Sequence, residues 1–139
     1  MITLQHTGGD YLRLVALVRE PHYEPARKIF ELIYQEKIEA YSTASSVTDI
    51  YYITAKRLGD DAARSVIRNL LNLLVVISVD GDDCTEALDL PVPDYEDALI
   101  SACAVKEDLD YVITNDTDFL QIDKSIAFAI TPAGLLDKI

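Results

Sequence analysis

The chain has 139 residues, half of them hydrophobic, which is enough for one compact domain spanning 1–139. Lys and Arg number 12 against 24 Asp and Glu, so the net charge of −12 repels a polyanion unless divalent cations or a basic partner reverse the sign locally. No apolar run approaches the ~20 residues of a membrane span, and the start lacks a basic flank before an apolar stretch, so the expectation is a cytoplasmic protein with no membrane contact.

Taken in chain order, Pro21 to Lys37 carries Ala26, Ile29, Phe30, Ile33 and Tyr34 at helical spacing, and Ile38 to Ala44 reads as a short strand. Ser45 or Ser46 opens a second helix with Val47, Ile50, Tyr51 and Ala55 on one face, ending at Gly59. A third helix starts at Asp60 or Asp61 and turns Val66, Ile67, Leu70 and Leu74 inward. The run Leu74 to Val79 has the continuous β-branched character of a strand buried on both faces. Pro91 and Pro93 then punctuate the chain, and an alanine-rich helix runs from Asp94 to about Lys106. A strand at Tyr111–Thr114, a polar loop, a strand at Ala127–Ile130 and a helix from Pro132 complete the pattern. Strands alternating with helices predict an α/β fold with a parallel sheet covered on both faces. Cys84 and Cys103 lie far apart, outside any CxxC unit, and are read as reduced, with Cys103 in the core.

In such sheets ligands bind beyond the carboxyl ends of the strands, and acids follow each of these ends. Asp49 comes after the strand ending near Ala44, in the first turn of its helix on this reading. Asp116 and Asp118 follow Tyr111–Thr114, and Asp94 and Asp97 head the alanine-rich helix. Carboxylates converging from separate segments repel one another unless a hard cation or a raised pKa relieves them. An oxygen-only set without histidine favours Mg2+ or Mn2+ over zinc. Each acid also has a purely structural reading. Ser46-Val-Thr-Asp49 fits a capping box, Asp94 an N-cap followed by an acid in the first turn, and Asn115-Asp116 a turn.

Four segments in order, Thr43-Ala-Ser-Ser-Val-Thr-Asp-Ile-Tyr-Tyr52, Leu88-Asp-Leu-Pro-Val-Pro-Asp-Tyr-Glu-Asp-Ala-Leu-Ile100, Tyr111-Val-Ile-Thr-Asn-Asp-Thr-Asp-Phe119 and Ile130-Thr-Pro132, resemble the PIN-domain family, most closely its VapC-type toxin branch. The resemblance runs from about Pro21 to the C-terminus. It implies a three-layer α/β/α domain with a central parallel sheet, and a metal-dependent endoribonuclease that hydrolyses RNA with Mg2+ or Mn2+ held by clustered acids. Carried over, Asp49, Asp97 and Asp116 match the catalytic and metal-binding acids, and Asp118 matches a further metal ligand. An antitoxin protein covering the acidic groove and a homodimer are implied as partners. Two departures stand out. Asn115 occupies a position where relatives often carry Arg, and the usual first-strand Asp-Thr-Asn has only His6-Thr7-Gly8 and the nearby Asp10 as analogues.

If the site is active, its metal would polarise the scissile phosphate and lower the pKa of an attacking water. Lys56 and Arg57, with Arg64 and Arg68, form a basic group on the second and third helices that would grip the substrate; the same charges are ordinary on a solvated helix face. Tyr51 and Tyr52 beside them read either as base-stacking platforms or as packing residues. The competing reading is a degenerate PIN-like module that binds a protein or RNA without cleavage. A receiver-like phosphate-handling domain is set aside, because it needs a lysine directly after a late strand and Lys124 lies in a loop.

Overall fold

The structure is a computed structural model that describes residues 2–4, 6–7, 11–16 and 23–139. Its strands are β1 (Ile2–Leu4), β2 (His6–Thr7), β3 (Tyr11–Ala16), β4 (Ile38–Thr43), β5 (Leu74–Ile77), β6 (Tyr111–Ile113) and β7 (Ala129–Ile130). The helices are α1 (Tyr23–Tyr34), α2 (Ala44–Leu58), α3 (Asp60–Leu73), α4 (Gly81–Asp89), α5 (Tyr95–Lys106), α6 (Thr117–Leu120) and α7 (Pro132–Lys138). Parallel pairing joins β5 to β4, β4 to β3, β3 to β6 and β6 to β7, while β1 and β2 run antiparallel to β6 and β3.

The side-chain alternation of these strands divides the core in two. On one face Tyr41, Ile77, Val112 and Ala129 meet Ala98, Ala102 and Cys103 of α5, together with Ala87 of α4 and Phe119 of α6. On the other, Ile38, Ala40, Leu74, Ile113 and Ile130 meet Ile29 and Ile33 of α1, Leu70 of α3 and Leu135 of α7. Successive residues of β4, β6 and β7 enter opposite clusters, which is the three-layer α/β/α arrangement expected. Small residues at 98, 102 and 104 let α5 lie close to the sheet, and all three are buried.

Several local expectations are corrected. The first helix ends at Tyr34, not Lys37, because Glu36 takes a φ of 60° and turns the chain into β4; Tyr34 itself is exposed. Its predicted start at Pro21 lies outside the described residues. Thr43, not Ser45 or Ser46, is the N-cap of α2, so Ala44 is helical and the strand is one residue shorter. Gly59, at φ 90°, ends α2 and turns directly into α3. Val66 on α3 is exposed, whereas Ala63 and Leu70 are buried. β5 is only partly covered: Leu74 and Ile77 are buried on opposite faces, but Val75 and Val76 are exposed and, among the described residues, the strand pairs with β4 alone, as suits an edge strand. Two helices were not anticipated. α4 is held by a reciprocal capping box in which Asp80 and Asp83 each accept the other's backbone N–H at 3.0 Å, and the four-residue α6 lies in the loop after β6. The last strand is shorter than expected, Ala129–Ile130.

At the N-terminus, the strand between β4 and β6 is Tyr11–Ala16. His6 and Thr7, the analogue of the usual Asp-Thr, lie in β2, while Gly8 and Asp10 are outside the described residues.

Candidate active site

Parallel register brings the carboxyl ends of β3, β4 and β6 to one edge, since Val15 stands opposite Tyr41 and Ala16 opposite Ile113. Asp49 follows β4 and Asp116 and Asp118 follow β6 at this edge, whereas Asp97 heads α5, which follows α4 rather than a strand. Asp49 lies in the second turn of α2, because the N-cap is Thr43 and the first turn carries no acid. It is half-buried, and among the described residues its carboxylate accepts no hydrogen bond.

Asp97 is 9% exposed and sits in the first turn of α5. Its backbone N–H donates to Oδ1 of the N-cap Asp94 at 3.1 Å, and its carbonyl accepts from Ser101 Oγ at 2.8 Å. The short apolar turn Pro91-Val92-Pro93 delivers the chain to this helix start. Thr114, buried at the end of β6, accepts from the Asp116 N–H at 3.0 Å, and Asp116 Oδ1 accepts from the Asp118 N–H at 2.9 Å. Strand end, acid and helix are thereby linked through local hydrogen bonds, and both Asp116 and Asp118 remain exposed. Asn115 is exposed beside them.

Asp97 and Asp118 share a cleft of about 480 Å3 with Asp94 and Asp123, above a floor that includes Val92 and Ile122. Asp123 accepts from the backbone N–H and the hydroxyl of Ser125, which hold its carboxyl below the usual carboxylate range. Asp49 and Asp116 do not line this cleft. Among the described residues no three or more His, Cys, Asp or Glu converge closely enough to form a ready-made metal cage. The donors still fit Mg2+ or Mn2+: all are oxygens, and Mg2+ commonly takes one or two carboxylates and completes its octahedron with water and substrate phosphate. Asp94 and Asp123 escaped notice as cleft residues because each fits a local role, an N-cap and an Asx-type turn.

Lys56 and Arg57 are exposed in the last turn of α2. Lys56 follows Asp49 by seven residues, so it lies on the same face roughly 10 Å further along the axis. Arg64 instead lies over the Tyr51 ring at 5.8 Å, and the Tyr51 hydroxyl donates to Asp60 at 3.4 Å; this ties α2 to α3 and occupies that ring. Tyr52 is exposed and packs edge-on against Tyr51. Cys103 is buried and its thiol is pushed up to about 11, chiefly by desolvation, as befits a core residue rather than a nucleophile.

Two solved structures share this fold. A chain from the VapBC2 complex of Rickettsia felis, bound to a DNA fragment from their promoter, superposes with a TM-score of 0.56 at 17% identity, covering 79% of this chain and 86% of its own. A chain from DNA-bound VapBC of Salmonella typhimurium gives a TM-score of 0.57 at 18% identity, covering 81% of this chain and 87% of its own. No curated protein matches. The family model for the PIN domain matches residues 13–118, a span that holds most of β3, all of β4, β5 and β6, and each of Asp49, Asp97, Asp116 and Asp118. Fold, sheet edge and family model agree: the chain belongs to the PIN domain family.

Proposed function

We propose that the protein is a metal-dependent endoribonuclease of toxin type, hydrolysing RNA phosphodiesters at the carboxyl edge of its sheet. What supports this reading is that Asp49 follows β4, Asp116 and Asp118 follow β6 and Asp97 heads α5, all within the span matched by the PIN domain model. Asp49, Asp97 and Asp116 are assigned as catalytic acids, and together with Asp118 they would hold Mg2+ or Mn2+. The bound cation would polarise the scissile phosphate and supply an activated water. The chain's own part is positional. Asp94 fixes the backbone of Asp97, Thr114 fixes that of Asp116, and the strand ends keep these segments at one edge.

Lys56 and Arg57 would contact phosphates flanking the scissile one, given their distance along α2 from Asp49. The solved neighbours are VapBC complexes, which supports an antitoxin as protein partner. A homodimer and a cytoplasmic location complete the reading.

The test is calorimetric titration of Mn2+ into the purified chain, with cleavage of single-stranded RNA measured on the same preparation. Micromolar binding and cleavage, both lost in Asp97→Asn, are expected. Absence of Mn2+ binding in the parent would sink the nuclease reading. A second reading, a degenerate module that binds without cutting, is favoured by the sequence of β3, Tyr11–Ala16, which pairs with β4 and β6 and contains no acid. An Asp10→Asn variant alongside separates the two: loss of Mn2+ binding there identifies Asp10 as the replacement ligand.

A further inference from the structure

The cleft between the starts of α5 and α6 has more structure than the binding of a cation requires. It holds about 480 Å3, within the range of pockets that take small molecules. One part of its lining is apolar, formed by Pro91, Val92, Pro93 and Ile122, and the rim beyond it carries Gln121 and Asp123.

What the cleft can hold follows from what each part offers. Pro91 and Pro93 have no backbone N–H, and Val92 donates its own to the Leu90 carbonyl at 2.8 Å, so this wall keeps no donor for an anion. No lysine or arginine lines the cleft, and its carboxylates repel a phosphate. Among the described residues no three acids converge as a cation cage would need. A flat, uncharged ring suits the same surface, because two rigid proline rings and two aliphatic side chains can cover the face of a nucleobase.

The rim decides which base. Asp123 Oδ1 accepts from the Ser125 backbone N–H at 2.9 Å and from its hydroxyl at 2.8 Å, which anchors the carboxylate by one oxygen. Its Oδ2 accepts no hydrogen bond, and the exposed Gln121 amide makes none. An ionised carboxylate can only accept, so the edge that meets it must donate. In a single strand the Watson–Crick edge is open to such contacts. Among the four bases guanine alone presents two adjacent donors there, N1–H and the 2-amino group. Its O6 beside them is an acceptor that the Gln121 amide N–H can serve. Uracil turns two carbonyl oxygens toward a carboxylate and is disfavoured, and adenine and cytosine offer one amino group each.

We propose that this cleft is a base slot for an unpaired guanine of the bound strand, with the base face against Pro91, Val92, Pro93 and Ile122 and its Watson–Crick edge on Asp123 and Gln121. The inference rests on the nuclease reading and deepens it, since Asp97 and Asp118 belong both to the cleft and to the proposed metal set. Selection of this kind uses no positive side chain, in keeping with a region dominated by acids.

The experiment is fluorescence anisotropy in Mg2+ with labelled single-stranded hexadeoxynucleotides. One probe is all thymine, a second has guanine at one central position, and a third has hypoxanthine there, which differs from guanine only in lacking the 2-amino group. The guanine probe is expected to bind the parent about tenfold more tightly than either of the others, as suits a hydrogen bond to a charged group. Asp123→Asn retains a residue that makes the same turn and puts an amide in place of the carboxylate, and the advantage of guanine should fall below about twofold. Guanine binding no more tightly than hypoxanthine in the parent would overturn the slot and spare the nuclease reading. A guanine preference left intact by Asp123→Asn would overturn it too, because the base would be read elsewhere. No binding of any probe would overturn the nucleic-acid reading and the slot with it.

Discussion

Asp83 is a buried acid that lies outside the candidate active site, and it ties α4 to the end of α5. The Lys106 ammonium lies 2.6 Å from its Oδ2, and the same lysine donates to the Ser78 carbonyl just after β5. The Lys106 hydrogen bond, with that from the Asp80 backbone, holds the Asp83 carboxyl below its ordinary range despite burial; Asp83 in turn raises Lys106. A depressed carboxyl contributes stability above its unfolded pKa of about 3.9, and loses it as pH falls through the lower folded value. The raised lysine contributes below about 10.4, and loses its share as pH rises through the higher folded value. The pair is therefore at full strength across neutral pH. Thermal melts of the parent and Lys106→Met should differ most near pH 7, and the difference should shrink below about pH 4. A gap independent of pH would mean that the lysine stem contributes only packing.

Among the elements, α4 depends most visibly on its ends. It has nine residues, buries only Asp83 and Ala87, and begins in a reciprocal capping box. Asp80→Ala should cost about 1 kcal/mol, read as a lower urea midpoint at unchanged m-value. This helix also shows where the sequence misleads. Helical spacing of apolar residues revealed α1, α2 and α3, and alanine richness after Pro91 and Pro93 revealed α5, which is buried nearly all round. α4 has neither feature: Gly81-Asp-Asp-Cys-Thr-Glu reads as a solvated loop, and the legible signal was the pair of acids at 80 and 83. β5 misled in the opposite direction. Leu74-Val-Val-Ile has the composition of a central strand, yet strand order places it at the rim, and composition does not report order. Asp97, Asp116 and Asp118 were legible as a group because short motifs fix them to helix starts next to strand ends. The Asp94 and Asp123 walls of the cleft were not, since a cleft joins segments that the chain does not. Asp49 fell in the second turn because Thr43, the last strand residue, takes the cap that Ser45 or Ser46 was expected to supply.

Charge is distributed unevenly over the whole molecule. Residues 1–73 carry as many bases as acids, whereas 74–139 hold fifteen acids and three bases, so the entire net charge of −12 belongs to the second half. The asymmetry sets the cleft formed by Asp94, Asp97, Asp118 and Asp123 against the more basic α2 and α3, where Lys56, Arg57, Arg64 and Arg68 lie. Self-repulsion of this kind should be eased by monovalent salt, which screens exposed charges beyond about 10 Å at 0.1 M. The melting temperature should therefore rise with added NaCl. At matched ionic strength Mg2+ should raise it further, and Asp97→Asn should remove only that further rise, measured by scanning fluorimetry. A variant that lost the NaCl response as well would point to bulk charge rather than a site.

Asp94 and Asp116 serve the backbone as caps, and asparagine caps a helix about as well as aspartate. Exchange of either for asparagine would remove a negative charge while leaving every element in place. On the proposed reading the architecture is therefore blind to loss of the Asp116 carboxylate: cutting would give way to mere holding through one substitution that no folding defect would expose.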